Sequence, residues 1–213
     1  MELVLDWDGT VTEVDTLHAA IEQFGDVDVF RAMESEIGRR LTLQEVIAVE
    51  MATISAPLEE VVAFVVESIS LRPGFAEIVE RHHPLVVSMG FHELIAPLLE
   101  RDGVEVRVVA NRLDPGPDGW RALFRHQAIC DVCGEPCKRS DVAELDGFVY
   151  VGDSFSDHCV AQAARKVFAR DGLAAHLAGK GVAFELFDDF YEIASALDGG
   201  AVVPPTRSRG RKT

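Results

Sequence analysis

Two aspartates separated by one residue, Asp6 and Asp8, directly follow the segment Glu2–Leu5, which is predicted to be a short buried strand. On extended backbone, residues two apart point to the same side, so both carboxylates would face one site. One carboxylate can attack phosphorus, and the other, held protonated, can act as general acid and later deprotonate the hydrolytic water. Taken alone, residues 6–10 are as consistent with an ordinary turn as with a catalytic pair.

Further polar residues stand at the ends of other predicted strands. Ser88 ends one such strand, and Asp153 and Asp157 follow another. Lys138 lies just before that last strand. Because the carboxyl ends of parallel strands lie along one edge of a sheet, these side chains should meet the aspartate pair there. Facing carboxylates are unfavourable unless a cation joins them, and such oxygen ligands suit Mg²⁺. With an ammonium and a hydroxyl to hold a phosphate, the set predicts a site for phosphoryl transfer.

The pattern of apolar residues predicts the elements that hold this site. Residues 15–71 show helical spacing throughout, including a capping box from Thr42 to Glu45 and a helix opened by Pro57. After residue 72, almost wholly apolar strands alternate with helices, which implies a parallel sheet covered on both faces. The predicted strands after the first are 85–88, 104–110, 148–151 and 167–169, and the predicted helices are 73–82, 91–101, 157–164 and 188–197.

The predicted fold class is therefore α/β, a Rossmann-like parallel sheet with an inserted all-helical cap of four helices. The core would comprise residues 1–14 and 72–200, and the cap residues 15–71. Residues 201–213 are predicted to be a disordered basic tail, in which the basic residues are Arg207, Arg209, Arg211 and Lys212.

Composition and charge exclude several classes of protein. The chain has 48% hydrophobic and 26% charged residues, which is typical of a globular protein. Its net charge of -16 repels nucleic acid and anionic membranes, so neither is expected as a partner. Glu2 follows Met1 with no basic leader, and no apolar run is long enough to span a membrane. We therefore expect a soluble cytoplasmic protein, either a monomer or a homodimer.

The chemistry-bearing residues resemble the four motifs of the haloacid dehalogenase superfamily, over nearly the whole chain. The matching strings are Asp6-Trp7-Asp8-Gly9-Thr10, Ser88, Lys138 and Gly152-Asp153-Ser154-Phe155-Ser156-Asp157. The helical insertion after the first motif resembles the cap of the phosphoserine-phosphatase-like branch. The strings at 168–173 and 187–190 are more similar to the methionine-salvage phosphatases, which act on 2-hydroxy-3-keto-5-methylthiopentenyl-1-phosphate.

This resemblance implies a Mg²⁺-dependent phosphomonoesterase that acts on a small phosphorylated metabolite through an aspartyl-phosphate. The methionine-salvage enol-phosphate is one candidate substrate; phosphoserine and other small phosphates such as pyridoxal phosphate are alternatives. Met89 stands where the phosphoserine branch usually has glycine, which argues against phosphoserine. Trp7 in place of the commoner phenylalanine is a milder departure.

The resemblance also implies a role for each matched residue. Asp6 would be the nucleophile and Asp8 the acid/base. The phosphoryl group would be bound by Ser88, Met89, Gly90 and Lys138. The metal would be held by Asp6, the backbone carbonyl of Asp8 and Asp153, with Asp157 as a further ligand or as a support for the ligands.

Three cysteines precede the lysine in the pattern Cys130-x-x-Cys133-x-x-x-Cys137, and Cys159 follows later. The first spacing matches half of many zinc sites, so these three thiols are candidates for a structural Zn²⁺. Cys159, His126 or His158 could complete the set. The alternatives are free cysteines in a hairpin, and an activated thiol at position 137.

Two residues are candidates for substrate contact. Asp15 lies at the entrance to the helical insertion, although a helix N-cap is the alternative role. His92 follows the predicted phosphate-binding segment. Arg39 and Arg40 are better explained as solvated surface than as partners of a substrate carboxylate.

Two alternative hypotheses describe a protein that is not an enzyme. A phosphoacceptor resembling a response-regulator receiver would be much shorter and would have no helical insertion. A zinc-stabilised binding protein on an inactive core would have lost a catalytic residue, and the sequence retains them all.

Overall fold

In the computed structural model, which describes residues 1–199, seven strands form one sheet. The strands are Glu2–Leu5 (β1), Leu85–Phe91 (β2), Arg107–Asp114 (β3), Arg121–Leu123 (β4), Phe148–Gly152 (β5), Lys166–Ala169 (β6) and Glu185–Leu186 (β7). Their order across the sheet is β4-β3-β2-β1-β5-β6-β7, and every neighbouring pair is parallel except β3 with β4.

Helices surround this sheet and fill the connection between β1 and β2. The α-helices of the described residues are Thr16–Phe24 (α1), Val27–Glu34 (α2), Leu43–Met51 (α3), Leu58–Ser68 (α4), Phe75–His82 (α5), His92–Arg101 (α6), His158–Ala161 (α7), Asp171–Lys180 (α8) and Phe190–Leu197 (α9). Two short 3-10 helices cover Lys138–Val142 and Phe155–Asp157. Of these, α1–α4 make up most of the insertion predicted as a cap, and α5 returns the chain to the sheet.

The central strand β1 explains why both faces of the sheet are covered. Leu3 and Leu5 are buried in one hydrophobic cluster, whereas Val4 is buried in the other. Alternate residues of a strand point to opposite faces, so β1 needs a layer of packing on each side. The strand order reverses at β1, because β2 lies on one side of it and β5 on the other. In open parallel sheets, the crevice at such a reversal is where ligands bind.

The parallel α/β sheet is confirmed, but some predicted elements are wrong in extent. β3 begins at Arg107 and continues to Asp114, because its last three residues pair with the unpredicted antiparallel strand β4. The helix predicted for 157–164 is a 3-10 turn followed by the four-residue helix α7.

Besides β4, two further elements of the described chain, α8 and β7, were not predicted. The sequence of α8 contains two glycines and carries only a weak amphipathic pattern, and its helix depends on burying Leu173 and Leu177. The two-residue strand β7 at the sheet edge is too short to show a period, and Leu186 in it is exposed.

Two helices of the insertion begin at capping signals seen in the sequence. Asp15 caps α1 by accepting a hydrogen bond from the amide of His18, at 2.9 Å. The Thr42–Glu45 capping box opens α3. The helix α2 ends at Glu34, and Ile37, which lies within the span of helical spacing, forms an isolated bridge with Leu41. The division of the chain into core and cap remains an interpretation of this connectivity.

No helix within residues 1–199 has both the length and the apolar character needed to cross a bilayer. The predicted basic tail, 201–213, lies outside the residues that the structure describes.

A buried arginine at the junction of α4 and α5 fixes the loop that follows β1. The guanidinium of Arg72 donates to the backbone carbonyls of Thr10 at 2.7 Å, of Gly9 at 2.8 Å and of Thr12 at 3.2 Å. It also donates to the carbonyl of Asp188, at 3.2 Å, just before α9. Arg72 therefore joins the aspartate loop to the far end of the chain, which the sequence did not predict.

Replacing Arg72 by methionine should lower the free energy of unfolding by about 3 kcal/mol, since several buried carbonyls would lose a charged donor. Urea unfolding followed by circular dichroism measures this difference. The matched control is Arg31→Met, because Arg31 is exposed in α2 and makes only a 4.0 Å ion pair with Asp28. We expect less than about 0.5 kcal/mol from the control. Equal losses for the two variants would contradict the structural role of Arg72.

Candidate active site

A buried ion pair lies at the carboxyl end of β1. Asp6 is 2% exposed, and the ammonium of Lys138 is completely buried beside it. Lys138 begins the 3-10 helix Lys138–Val142, and its Nζ donates to Oδ1 of Asp6 and, at 2.7 Å, to Oδ1 of Asp157. Burial opposes the charge on Lys138, but the two carboxylates outweigh it and raise the pKa of the amine. Lys138 is therefore a permanent cation between two strand ends.

Asp157 is held on both of its oxygens. Besides Lys138, its Oδ1 accepts the hydroxyl of Tyr150 at 2.6 Å. Its Oδ2 accepts the backbone amides of Asp153 at 2.8 Å and of Ser154 at 3.0 Å. Burial works against ionisation here, but Lys138 and these donors hold the pKa of Asp157 below its usual value. Asp157 is thus an ionised carboxylate that fixes the turn after β5.

The third carboxylate of this group, Asp153, is fixed by the loop after β1. Its Oδ1 accepts the hydroxyl of Thr10 at 2.8 Å. Gly9 has a φ of 73°, and any Cβ at that position would collide with the carboxylate of Asp153. Only glycine therefore lets the two loops approach so closely. Separately, burial, and then the charge of Asp157, raise the pKa of Asp153 to about 6.

These carboxylates fit a divalent cation of the magnesium type. Asp6, Asp153 and Asp157 each place one oxygen within 4.8 Å of the others. Three carboxylates against the one ammonium of Lys138 leave two negative charges, which a divalent cation would balance. Burial, and then the charge of Asp157, raise the pKa of Asp6 well above its usual value, as expected for acidic groups crowded together. Hard oxygen donors of this kind are the ligands that Mg²⁺ prefers.

Asp8 lies beside this group and has different partners. Its Oδ1 accepts the backbone amide of Thr16 at 2.9 Å and also the Thr16 hydroxyl, and its Oδ2 lies 3.4 Å from the hydroxyl of Ser88. Burial, and then the charge of Asp15, raise the pKa of Asp8 to about 7. A carboxyl with this pKa can both donate and accept a proton near neutral pH.

The end of β2 passes very close to Asp8. The hydroxyl of Ser88 accepts the backbone amide of Gly90 at 2.8 Å. A Cβ at Gly90 would come within 2.7 Å of Oδ2 of Asp8, so a larger residue would push the two strand ends apart. The side chain of Met89 is 7% exposed and lines the cavity described below. Three of the positions predicted for phosphate binding, Ser88, Met89 and Gly90, therefore lie together beside Asp8, while the fourth, Lys138, contacts Asp6.

Further residues that the sequence did not single out support these strand ends. Arg125 donates to the carbonyl of Ser88 at 2.8 Å and to Oδ1 of Asn111 at 3.0 Å, and it pairs with Asp141 at 2.8 Å. These contacts bring together distant parts of the chain, so no local pattern reveals them. The sequence could have indicated Tyr150, because its hydroxyl is the one polar side-chain group in the otherwise apolar strand β5.

A cavity of about 190 Å³ opens over Asp6 and Asp8, between the strand ends and the helical insertion. One part of its wall is ionisable and consists of Asp15, His18, Glu34 and Glu50. Another part is apolar and consists of Leu17, Ile37, Leu43, Ile47, Met89 and Phe155. The lining formed by the described residues includes no lysine or arginine.

Of the two residues predicted to contact substrate, Asp15 and His92, only Asp15 lines the cavity. Asp15 caps α1 and also lines the cavity, so its two predicted roles are compatible. His92 is the first residue of α6 and is not among the described residues that line the cavity. Arg39 and Arg40 are exposed, and Arg40 lies 3.4 Å from Glu36.

Glu50 is the most perturbed carboxyl in the helical insertion. It is 2% exposed, and its Oε1 accepts no hydrogen bond from any described residue. Burial, and then the charge of Glu34, raise its pKa from 4.5 to about 8. The folded chain therefore binds this proton more tightly than the unfolded chain does. The resulting stability is complete below about pH 4.5 and is lost as the pH rises through about 8.

Glu50→Gln should therefore become more stable than the wild type as the pH rises from about 5 to about 9. A shift of this size is worth about 5 kcal/mol at most, and because the cavity admits water we expect about 2 kcal/mol. Thermal unfolding of the two proteins across this pH range measures the difference. Glu59→Gln, an exposed substitution in α4, should differ in stability from the wild type by the same amount at every pH. A Glu50→Gln curve parallel to the wild type would contradict the raised pKa.

Comparison with known proteins assigns the chain to one family of enzymes. A family model of the haloacid dehalogenase-like hydrolases matches residues 3–162. The chain belongs to the haloacid dehalogenase-like hydrolases, as the sequence motifs indicated.

Among its relatives are proteins named 2-hydroxy-3-keto-5-methylthiopentenyl-1-phosphate phosphatase. The one from Geobacillus kaustophilus is 31% identical over 208 residues, which cover 92% of this chain and 94% of that protein. The one from an Exiguobacterium species is 26% identical over 211 residues, covering 92% and 97%.

The fold is also that of phosphoserine phosphatases of known structure. A substrate-bound phosphoserine phosphatase superimposes with a TM-score of 0.69 at 17% identity, covering 92% of this chain and 97% of that one. The phosphoserine phosphatase of T. onnurineus gives a TM-score of 0.69 at 14% identity, covering 94% and 95%. At these identities the likeness shows the fold alone.

Proposed function

We propose that the protein is a Mg²⁺-dependent phosphomonoesterase that hydrolyses a small phosphorylated metabolite through an aspartyl-phosphate on Asp6. The observation that carries the proposal is the buried carboxylate of Asp6, bound by Lys138 at the reversal point of the sheet, with Asp8 beside it under one cavity. A non-enzymatic phosphoacceptor would have no use for the second carboxylate or for the cavity above it.

The side chains support a two-step reaction. A carboxylate oxygen of Asp6 attacks phosphorus, the bond from phosphorus to the ester oxygen breaks, and Asp8 gives its proton to the departing oxygen. Asp8 then takes a proton from a water molecule, whose oxygen attacks the aspartyl-phosphate and releases inorganic phosphate. We propose that the hydroxyl of Ser88, which accepts the amide of Gly90 and lies beside Asp8, binds a phosphoryl oxygen. The lack of a side chain at Gly90 would let the phosphate approach this strand end. Lys138 reduces the repulsion between Asp6 and the phosphate dianion.

The metal site of this proposal uses Asp6, the backbone carbonyl of Asp8, and Asp153. A Mg²⁺ ion held there would supply positive charge that offsets the negative charges of Asp6 and the phosphate. Both oxygens of Asp157 already accept hydrogen bonds, so we propose that Asp157 positions Lys138 and the Asp153 turn rather than binding the metal itself.

The cavity wall argues for a substrate without a carboxylate. Phosphoserine carries both an ammonium and a carboxylate group, and the acidic wall suits the ammonium. The one basic side chain of the described lining, His18, lies 3.7 Å from Asp15 and 3.8 Å from Glu34 and is therefore already paired with carboxylates. A buried carboxylate that finds no cation is strongly unfavourable. An enol-phosphate with hydroxyl and keto groups and an apolar thioether end would match the mixed acidic and apolar lining. The names of the relatives point the same way, so we propose the methionine-salvage enol-phosphate as the substrate.

The specificity constant kcat/KM should accordingly be at least about 100-fold higher for this enol-phosphate than for phosphoserine. Phosphate release from both compounds and from pyridoxal 5′-phosphate, each with Mg²⁺, provides the measurement. p-Nitrophenyl phosphate serves as a control, since its reaction depends little on the cavity wall. A preference for phosphoserine, or equal rates for all compounds, would contradict the proposed substrate.

Cys130, Cys133 and Cys137 form a second proposed metal site, for the structural Zn²⁺ that their spacing suggests. Beyond the metabolite and these ions we propose neither nucleic acid nor a membrane as a partner, a view that the net charge of -16 supports.

A further inference from the structure

All four cysteines of the chain come together at one place outside the catalytic carboxylates. Cys130 and Cys133 lie in a turn, Cys137 directly precedes Lys138, and Cys159 belongs to α7 after β5. Their sulfur atoms all lie within 4.8 Å of one another. Cys159, which is distant in sequence from the other three, is the buried member of the group.

The separations fit a metal held by four thiolates better than they fit a disulfide. Four sulfurs arranged tetrahedrally at about 2.3 Å from a zinc ion are about 3.8 Å apart. The sulfurs of Cys130 and Cys159 are 3.9 Å apart, whereas disulfide sulfurs are about 2.0 Å apart. The amide of Val132 points at the sulfur of Cys130, at 3.5 Å, and such a donor stabilises a thiolate. The guanidinium of Arg139 donates to the carbonyl of Cys159 at 3.1 Å, which places a positive charge beside the cluster.

Three of these cysteines lie in a long connection that is anchored near its start, where Arg125 and His126 contact Asp141, but that buries few apolar side chains around the cysteines. Residues 124–137, between β4 and the 3-10 helix at Lys138, contain no helix or strand. Ile129 and Val132 in this segment are each 62% exposed, so it buries few apolar side chains of its own. Connections of this length inside a compact domain are uncommon unless something fixes them. A metal bound by four thiolates would supply that cross-link.

We infer that Cys130, Cys133, Cys137 and Cys159 form a structural zinc site that fastens residues 124–137 to α7. Binding releases the four thiol protons and closes the coordination shell, so the ion is structural and takes no part in the reaction.

The proposed zinc site would fix two neighbouring parts of the structure, the 3-10 helix at Lys138 and the contact with α3. Cys137 precedes Lys138, so the zinc fixes the start of the 3-10 helix that delivers the ammonium to Asp6. On the other side, the carboxylate of Glu135 accepts the amide of Leu43 at 3.2 Å, at the N-terminus of α3. The zinc is therefore expected to position Lys138 and to hold this segment against the helical insertion. This positioning role rests on the proposed function, whereas zinc binding itself does not.

The test begins with the wild-type protein purified under reducing conditions without chelator. Elemental analysis should find about one zinc per chain. After replacement of zinc by cobalt, the absorption spectrum should show thiolate-to-cobalt charge transfer and the strong visible bands of tetrahedral coordination. Thiol reagents should react slowly with the native protein and rapidly after a chelator removes the metal. A wild-type protein without zinc and with four freely reactive thiols, or with a disulfide found by peptide mapping, would overturn the site.

Variants then test the ligand set. Cys159→Ser should bind zinc at least about 100-fold more weakly than the wild type in competition with a chromophoric chelator. Unchanged affinity would remove Cys159 from the site. Cys159→His retains a zinc ligand and should keep the metal even if the serine variant is too unstable to measure.

The positioning role has its own controls. Asp153→Asn should lose phosphate release but keep its zinc. Removing zinc from the wild type, with Mg²⁺ restored, should lower kcat more than it raises KM, and unchanged kcat would refute the positioning of Lys138. A wild type that binds one zinc but hydrolyses no phosphoester would overturn the proposed function and leave the zinc site standing.

Discussion

Replacing Asp6 by asparagine should lower phosphate release by at least about 10⁴-fold, because the amide cannot attack phosphorus while its shape preserves the site. Lys138 can still donate to the amide oxygen, and β1 stays buried, so the variant should fold. Steady-state phosphate release with saturating Mg²⁺ measures the loss. Asp146→Asn is the matched control, because Asp146 is fully exposed and only pairs with Arg165 at 3.5 Å.

The same pair of proteins can show the intermediate directly. Acid quenching of wild type during turnover, followed by peptide mass analysis, should find phosphate on the peptide that contains Asp6. The Asp6→Asn variant should show none. Measurable turnover by Asp6→Asn, or phosphate on a different residue of the wild type, would refute Asp6 as the nucleophile.

The sequence predicts the reacting groups of this site because they depend on local rules. Asp6 and Asp153 each follow an apolar strand, and parallel strands bring their carboxyl ends to one edge. Ser88 was predicted to end its strand but lies within β2, at the point where the regular pairing with β3 is interrupted after Val87. The sheet places β2 and β5 on either side of β1, which is the arrangement these residues require. The Thr42–Glu45 capping box and the helical spacing likewise lie within a few residues of the elements they define.

The supporting contacts could not be predicted in the same way. Arg72 reaches carbonyls more than sixty positions earlier in the chain, and Arg125 reaches the carbonyl of Ser88 from the far end of a β-hairpin. Neither residue is marked by a period or a spacing, since their roles follow from tertiary packing alone. The same holds for Cys159, which completes a cluster whose other members are close in sequence.

In the helical insertion, the sequence predicts the helices but not which of their residues face the cavity. Its apolar positions predict four helices, but the same spacing marks residues that pack and residues that line a cavity. Ile47 and Glu50 stand three positions apart on α3, and both face the cavity over Asp8. Only the assembled structure shows that this wall is acidic and apolar and, within the described chain, without lysine or arginine, which is the basis for the proposed substrate.

Replacing Asp8 by asparagine should separate the two steps of the reaction. The substitution removes the proton donor and the later base, so kcat should fall by about 10²- to 10⁴-fold with an alkyl or enol phosphate. p-Nitrophenolate leaves without needing a proton, so the first step with p-nitrophenyl phosphate should remain fast while hydrolysis of the aspartyl-phosphate becomes slow. Stopped-flow absorbance should then show a burst of about one nitrophenolate per chain.

The contrast between leaving groups distinguishes loss of the proton donor from damage to the site. The asparagine that replaces Asp8 still accepts the Thr16 amide through its oxygen, so the contact between the aspartate loop and α1 should persist. Thr12→Ser, a conservative change in the same loop, is the control for disturbance of the loop itself and should show no burst. If Asp8→Asn slows both substrates equally and without a burst, Asp8 would be a structural residue. A burst whose slow phase matches phosphate release would instead establish that the carboxyl above Asp6 serves both half-reactions.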